Sequence, residues 1–243
     1  MSESPMQALI FDCDGVLVDT ERDGHRVAFN MAFQELSIDA HWDIERYGDL
    51  LTTGGGKERL RRHFDEVGWP VAREDQRDQM VIDLHKVKTG FFLNIIESGA
   101  LTLRDGVARM IDAAFEAGLK VAVCSTSNER AVATLVWKLL GDKRSSRIQI
   151  FAGDVVKHKK PDPAIYHLAA TTLSVDPTKC VVVEDSHIGL SAAKAAGMNC
   201  IVTISAYTAS ENFDAADHVV SNLDQGVDLQ LCEQLVKYRK ETA

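Results

Sequence analysis

The chain has 243 residues, of which 45% are hydrophobic and 26% are charged, a composition typical of a globular protein rather than a disordered one. Its net charge of −9 disfavours binding to DNA or RNA, and no apolar run approaches the roughly 18 to 20 residues of a membrane span. The five cysteines form no C-x-x-C pair and no signal peptide is visible. We therefore expect a reducing compartment: the cytoplasm, or a plastid stroma if a transit peptide has been removed.

The chain begins with one buried strand and continues with helices. Residues 8–11 form a short apolar run that ends in Asp12, which predicts a buried strand followed by a tight turn. From residue 20 to about residue 99 the pattern is helical, and strand signals are nearly absent. The clearest helices there are predicted over residues 25–36, 57–67 and 75–96.

From residue 105 onward, strands and helices alternate. Helices are predicted over residues 105–117, 129–140, 163–173, 189–196 and 229–240, and strands over residues 120–124, 148–152, 180–183, 200–204 and 218–221. This alternation is typical of a parallel sheet with helices on both faces. The predicted fold is therefore α/β: a doubly wound, Rossmann-like sheet formed by residues 1–19 and 100–243, with a small α-helical cap inserted at residues 20–99.

Polar side chains follow the predicted strands at the point where each strand ends. In an open parallel sheet, ligands bind at the carboxyl ends of the strands, so we expect these groups to meet at one edge. They are Asp12 and Asp14 after the first strand, Ser125, Thr126, Ser127 and Asn128 after the second, Lys160 before a helix, and Glu184 and Asp185 after a later strand.

The acids among these residues indicate a metal site. Asp12 and Asp14 are two residues apart, so in extended backbone they project to the same side and repel each other unless a cation or a proton lies between them. With Glu184 and Asp185 added, four acids predict a hard divalent cation, and Mg²⁺ is expected where a substrate supplies phosphate oxygens.

Each of these features also has a plainer explanation when it is taken alone. Asp-x-Asp-Gly is an ordinary turn sequence. Lys160 belongs to the basic run 157–160 and could be solvated, and Glu184 with Asp185 could complement a helix dipole. Their combination at several strand ends favours a site.

Four motifs in this order resemble the haloacid dehalogenase superfamily of phosphotransferases. They are the run 11–20 beginning Phe11-Asp12, Ser125 after an apolar strand, Lys160-Pro161, and Glu184-Asp185. The insertion directly after the first motif resembles the cap of the β-phosphoglucomutase-like branch. Residues 14–21, 53–59 and 124–129 resemble the CbbY proteins, a subfamily associated with carbon-fixing organisms and with dephosphorylation of xylulose 1,5-bisphosphate, a misfire product that inhibits Rubisco.

The resemblance implies a role for each motif. Asp12 would be the nucleophile that forms an aspartyl-phosphate, and Asp14 the general acid and base. Ser125 and Lys160 would bind the transferring phosphoryl group. The ligands of Mg²⁺ would be Asp12, the backbone carbonyl of Asp14, Glu184 and Asp185. Because a departing halide needs no proton, Asp14 favours phosphoryl transfer over dehalogenation.

The cap would close over the cleft and bind the part of the substrate that does not react. Gly54, Gly55, Gly56 and Lys57 form a candidate clamp for a second, non-transferred phosphate, because glycine N–H groups and a helix N-terminus accommodate an anion. The plainer alternative is a flexible linker between two helices. Further candidate substrate contacts are Glu21, His25 and Tyr47 in the cap, and Thr126, Ser127 and Asn128 beside Ser125 and Lys160.

The predicted function is a Mg²⁺-dependent phosphatase of small sugar phosphates, with xylulose 1,5-bisphosphate as the expected substrate. The same chemistry serves a sugar-phosphate mutase, in which a sugar hydroxyl rather than water attacks the aspartyl-phosphate. A non-catalytic binding module is a third alternative, disfavoured because every reacting group is present. We expect a small phosphorylated sugar as the partner, no nucleic acid, no membrane, and a monomer, the default for a lid that must swing.

Overall fold

The computed structural model describes residues 6–239, and these residues form a six-stranded parallel sheet with helices on both faces. The strands lie in the order β3-β2-β1-β4-β5-β6, so β1 is central and the chain winds outward from it in both directions. This arrangement confirms the predicted doubly wound α/β fold. The strands are Ala8–Phe11 (β1), Lys120–Ser125 (β2), Ile148–Ala152 (β3), Cys180–Glu184 (β4), Asn199–Thr203 (β5) and His218–Val220 (β6).

The helices follow the predicted periodicity with a few differences. The short helix at Ile44–Leu50 was not predicted, and the helix predicted over 129–140 continues to Ser145 through a non-helical Gly141. The predicted end of the last helix at Lys240 lies outside the described residues. The helices are Arg26–Glu35 (α1), Ile44–Leu50 (α2), Gly56–Val67 (α3), Arg77–Glu97 (α4), Val107–Glu116 (α5), Glu129–Ser145 (α6), Ala164–Leu173 (α7), His187–Ala195 (α8) and Leu229–Arg239 (α9).

Alternating strand residues build one apolar cluster on each face of the sheet. Leu9 and Phe11 of β1 pack with residues of α5, α6 and α9, whereas Ala8 and Ile10 pack with residues of α7 and α8. All four residues of β1 are fully buried. The loop that follows β1 is therefore anchored on a strand covered on both faces, which fixes its position at the edge of the sheet.

Helices α1 to α4 lie between β1 and β2 in the chain and pack around a further, aromatic cluster, while Phe92, Leu93 and Ile96 of α4 pack in the cluster of Leu9 and Phe11. Phe29, Phe33, Trp42, Tyr47 and Phe64 are buried in the aromatic cluster, with ring centroids 4.6 to 6.4 Å apart in several pairs. Within residues 6–239, no helix is both long and apolar enough to cross a membrane.

Candidate active site

The carboxyl ends of the central strands bring the predicted motifs to one cleft. Strand β1 pairs in parallel with both β2 and β4, so the segments that follow these three strands start side by side. The predicted site residues that line the cleft are Asp12, Asp14, Glu21, Gly54, Ser125, Thr126, Lys160, Glu184 and Asp185.

Lys160 is buried between two carboxylates. Its Nζ donates to Asp12 Oδ1 at 2.6 Å, to Glu184 Oε1 at 2.6 Å and to the backbone carbonyl of Cys124 at 2.9 Å. Burial alone would lower the pKa of Lys160, but the charges of Asp12 and Glu184 raise it above its ordinary value. The ammonium group therefore keeps its proton, has an acceptor for each of its three donors, and sets a fixed positive charge beside Asp12.

Three buried acids surround this lysine. The carboxylate oxygens of Asp12, Glu184 and Asp185 lie within 4.8 Å of one another. Burial raises the pKa of Asp12 well above its ordinary value; Lys160 opposes this rise and the neighbouring acids add to it. Burial, followed by the charges of Glu184 and Asp12, raises the pKa of Asp185. One lysine does not balance three buried acids, so this all-oxygen donor set fits Mg²⁺.

Gly15 lets the loop after β1 approach Asp185 closely. Its φ of +83° lies in the left-handed region, and a Cβ at this position would overlap the Asp185 carboxylate. The same glycine thus gives the turn its backbone conformation and leaves room for the Asp185 carboxylate. Glycine is required here for both.

Asp14 is surrounded by hydrogen-bond donors. Its Oδ1 accepts from Thr20 Oγ1 and from His25 Nε2, the latter at 2.8 Å, and its Oδ2 accepts from Ser127 Oγ at 2.5 Å. Burial alone would raise the pKa of Asp14, but the interaction with His25 and the hydrogen bonds from Ser127 and Thr20 lower it well below its ordinary value. Asp14 is therefore held in its carboxylate form.

A buried lysine of α4, Lys88, contacts the other ring nitrogen of His25. Its Nζ lies 2.6 Å from His25 Nδ1 and 4.8 and 4.9 Å from the ring centroids of Phe29 and Phe92. One of the two nitrogens in this contact must accept a hydrogen bond, so the pair carries one positive charge rather than two. Whether Lys88 Nζ or His25 Nδ1 is the acceptor in this contact, His25 Nε2 is the nitrogen that donates to the carboxylate of Asp14.

In the loop after β2, some side chains line the cleft and others form hydrogen bonds that hold the loop in place. Ser125 and Thr126 line the cleft. Ser125 Oγ accepts from the backbone N–H of Ser127 at 3.0 Å, and Asn128 Oδ1 caps α6 by accepting from the backbone N–H of Ala131 at 3.2 Å. Ser127 and Asn128 thus fix Asp14 and the start of α6, and they face a small cavity beside the cleft.

Two of the predicted sugar contacts bind each other. Tyr47 Oη donates to Glu21 Oε2 at 2.5 Å, and Arg59 Nη1 donates to Tyr47 Oη at 3.2 Å and to Glu21 Oε1 at 3.4 Å. Tyr47 is fully buried, whereas Glu21 and Arg59 line the cleft. Glu21 and Arg59 thus present one carboxylate and one guanidinium to the cleft, and Tyr47 holds them in place.

The glycine segment borders two different clefts. Gly54 lines the cleft of Asp12 and Lys160 and lies against the backbone carbonyl of Lys160, whereas Gly56 begins α3 and packs against His85. Lys57 lines a neighbouring cleft, where its Nζ pairs with Asp154 Oδ2 at 2.5 Å. Gly55, with φ +98°, turns the backbone between them. The structure therefore brings Gly54, but not Lys57, to the cleft of Asp12 and Lys160.

Two cationic residues of this region were missed in the sequence, although each carried a signal. Arg59 follows Lys57 by two positions and lies in the segment 53–59 that resembles the CbbY proteins. Lys88 lies on the apolar face of α4, at helical spacing from Val81, Leu84 and Phe92, all of which are buried. A charge on an otherwise apolar helix face indicates a functional or paired group.

Comparison with known proteins agrees with this geometry. The family model of haloacid dehalogenase-like hydrolases matches residues 6–197. A CBBY-like protein of Arabidopsis thaliana is 56% identical, over 95% of this chain and 74% of that one. Protein CbbY of Rhodobacter capsulatus is 39% identical, over 90% of this chain and 94% of that one.

A solved structure shares both the fold and a related sequence. It is a CbbY variant from Rhodobacter sphaeroides in complex with xylulose 1,5-bisphosphate, with a TM-score of 0.86 and 38% identity, covering 93% of this chain and 99% of that one. These findings confirm the predicted family and the predicted enzyme class, a phosphatase. The chain belongs to the haloacid dehalogenase-like hydrolases, in their CbbY-like branch.

Proposed function

We propose that this enzyme is a Mg²⁺-dependent phosphatase of sugar bisphosphates that acts through an aspartyl-phosphate, with xylulose 1,5-bisphosphate as its substrate. The observation that carries the proposal is the Asp12 carboxylate held 2.6 Å from the Lys160 ammonium group, with the Asp14 carboxylate in the same cleft. A nucleophile, a fixed cation and a second carboxylate are the groups that phosphoryl transfer through a carboxylate requires.

Asp12 would attack phosphorus in line with the departing alkoxide. The phosphorus–alkoxide bond breaks as the bond from phosphorus to the carboxylate oxygen forms, and Lys160 offsets the negative charge on the transferring oxygens. Ser125, buried at the end of β2, adds a hydroxyl to that cleft. Asp12, Glu184, Asp185 and the backbone carbonyl of Asp14 would hold Mg²⁺, which supplies further positive charge where two anions meet.

Asp14 would move the protons of both steps. It would protonate the departing alkoxide and then take a proton from the water that hydrolyses the aspartyl-phosphate. His25 Nε2 contacts Asp14 Oδ1, and Lys88 Nζ contacts the other ring nitrogen of His25. Asp14 would take its proton from His25 Nε2 while Lys88 passes a proton to His25 Nδ1, so that the imidazole stays neutral and the positive charge of Lys88 is used.

The substrate class is supported by the charges of the insertion. Arg59 faces the catalytic cleft, Lys57 faces the neighbouring cleft, and Thr126 lines both. A molecule with phosphates at both ends would place one on Asp12 and Lys160 and the other toward these cations. The CbbY neighbour in complex with xylulose 1,5-bisphosphate supports the choice of this bisphosphate.

We also propose that residues 20–99 act as a lid on the core. Three contacts between the insertion and the core support this function: Gly54 against the Lys160 carbonyl, Lys57 with Asp154, and Tyr47 with Tyr207, whose ring centroids lie 6.0 Å apart. Such a closure excludes water from the reacting groups.

Because the lid needs no second subunit, we expect the protein to be a monomer at micromolar concentration, which light scattering can measure.

A phosphate-release screen tests the function. We expect release of one phosphate from xylulose 1,5-bisphosphate, with a higher kcat/KM than from sugar monophosphates, and loss of turnover in EDTA that Mg²⁺ restores. Conversion of a hexose phosphate into its isomer without net phosphate release would identify a mutase instead. If the protein hydrolyses no sugar phosphate and no aryl phosphate in the presence of Mg²⁺, the result would favour a non-catalytic binding module.

A further inference from the structure

Tyr166 of α7 lies directly behind the catalytic lysine and is not part of the four motifs. It is fully buried, and its hydroxyl donates to Glu184 Oε1 at 2.5 Å. Its ring centroid lies 4.9 Å from Lys160 Nζ, within the range of a cation–π contact. Burial, together with the charge of Glu184, raises the pKa of Tyr166 well above its ordinary value, so the hydroxyl remains a donor.

The Glu184 carboxylate is fixed from several sides. Oε1 accepts from both Tyr166 and Lys160, and Oε2 accepts from the backbone N–H of Asp185 at 3.2 Å. Gly189 leaves room for this carboxylate, because a Cβ there would overlap it. The side chain thus has little freedom to move, and Tyr166 is one of the groups that determine its place.

The Tyr166 hydroxyl affects how strongly Lys160 is attracted to each of its two carboxylate partners, Asp12 and Glu184. Lys160 Nζ lies 2.6 Å from both Asp12 Oδ1 and Glu184 Oε1. A second donor on Oε1 draws off part of the negative charge that Glu184 offers to the lysine. Without that donor, Glu184 would attract the ammonium group more strongly, away from Asp12 and from a phosphoryl group bound there.

We propose that Tyr166 is a positioning residue for the reaction, which acts through Glu184 to hold Lys160 toward Asp12 and the transferring phosphoryl group. The inference depends on the phosphatase chemistry at Asp12 and not on the identity of the sugar. Its effect should be the same for every substrate, because the transferring phosphoryl group is common to all of them.

Tyr166→Phe is the direct test, because it removes the hydroxyl and keeps the ring beneath Lys160. We expect kcat to fall about tenfold, with KM within about twofold of wild type, and the same fractional loss for an aryl phosphate and for xylulose 1,5-bisphosphate. Ile165→Val is the matched control: it removes one buried methyl group from the neighbouring position of α7 and should lower the unfolding temperature without lowering kcat.

The outcomes separate this inference from the proposed function. A kcat within twofold of wild type in Tyr166→Phe, or a loss confined to KM, or a loss no larger than that of Ile165→Val, would overturn the positioning role. If Tyr166→Phe does not fold, 3-fluorotyrosine at position 166 gives the answer, because it keeps the ring and makes the hydroxyl a stronger donor. An unchanged kcat in that protein also refutes the inference, whereas a raised kcat supports it. If the wild type hydrolyses an aryl phosphate but not xylulose 1,5-bisphosphate, the substrate proposal fails and the positioning role is tested with the aryl phosphate. A loss in Tyr166→Phe that is confined to one of the two substrates would overturn the positioning role.

Discussion

Replacing Lys88 with methionine removes a buried charge while keeping an unbranched side chain of similar length on α4. Burial lowers the pKa of Lys88 from 10.5 to about 8, and it outweighs the opposing attraction of Glu21 and Asp14. The Nζ group faces His25 and the rings of Phe29 and Phe92. Below pH 8 this lysine is charged in both the native and the unfolded chain, and above pH 10.5 it is neutral in both.

The size and sign of the effect follow from that window. Between pH 8 and pH 10.5 the unfolded chain holds a proton at Lys88 that the native chain lacks, so native stability rises with pH. At about 1.4 kcal/mol per pH unit, the gain amounts to about 3 kcal/mol. His85, whose pKa is lowered to about 3 by burial and by Lys88, stays neutral across the window and contributes nothing.

Urea unfolding at pH 7.5, 9 and 10.5 measures this contribution. The free energy of unfolding of the wild type, relative to Lys88→Met, should increase by about 3 kcal/mol over the range. Lys86→Met, on an exposed position of the same helix, should show a difference from wild type that does not change with pH. A difference between wild type and Lys88→Met that is constant with pH would refute the reasoning, because it would mean that Lys88 titrates alike in both states.

Three further predictions concern the site. Lys57→Ala should lower kcat/KM for a sugar bisphosphate about tenfold and leave kcat/KM for an aryl phosphate unchanged. Lys86→Ala, a lysine that lines the same neighbouring cleft, is the control. Equal losses of kcat/KM on both substrates would exclude a phosphate clamp at Lys57. Asp154→Ala removes the ion-pair partner of Lys57 and should lower KM for the bisphosphate, by less than fivefold because the ion pair is exposed. An increased KM would show that Asp154 and the substrate do not compete for Lys57. Gly189→Ala should reduce kcat at least tenfold in steady-state assays, because the added Cβ displaces Glu184; wild-type kcat would show that the carboxylate has room to move.

The core and its acidic edge could be predicted because their residues carry strong local patterns. Strands β1 and β4 are short apolar runs that end abruptly in acids, and burial on both sheet faces makes such runs unambiguous. Helix α2 could not be predicted in the same way. Helix α2 has seven residues, and only Tyr47 and Leu50 of them are buried, so its apolar pattern is too short to predict a helix. The main sequence feature that indicates its start is Asp43, which caps the helix.

The position of Lys57 shows why neighbours in sequence can be separated in space. The pattern of three glycines and a lysine suggested one anion clamp, but α3 begins at Gly56, and the positive φ of Gly55 turns the chain there. The turn leaves Gly54 in the cleft of Asp12 and Lys160 and Lys57 in the neighbouring cleft. Arg59 is two residues after Lys57 in α3, on a different face of the helix, and it lines the cleft of Asp12 and Lys160.

The role of Asp12 is the centre of the proposed mechanism, and trapping the phosphoryl group on the enzyme tests it most directly. A single turnover with radiolabelled substrate, quenched in acid within milliseconds, should leave label on the peptide that contains Asp12, and hydroxylamine should release it. Asp12→Asn, folded and checked for deamidation, should show neither label nor turnover. Product formation without any labelled enzyme at any time point, together with near wild-type turnover by Asp12→Asn, would contradict nucleophilic attack by this carboxylate.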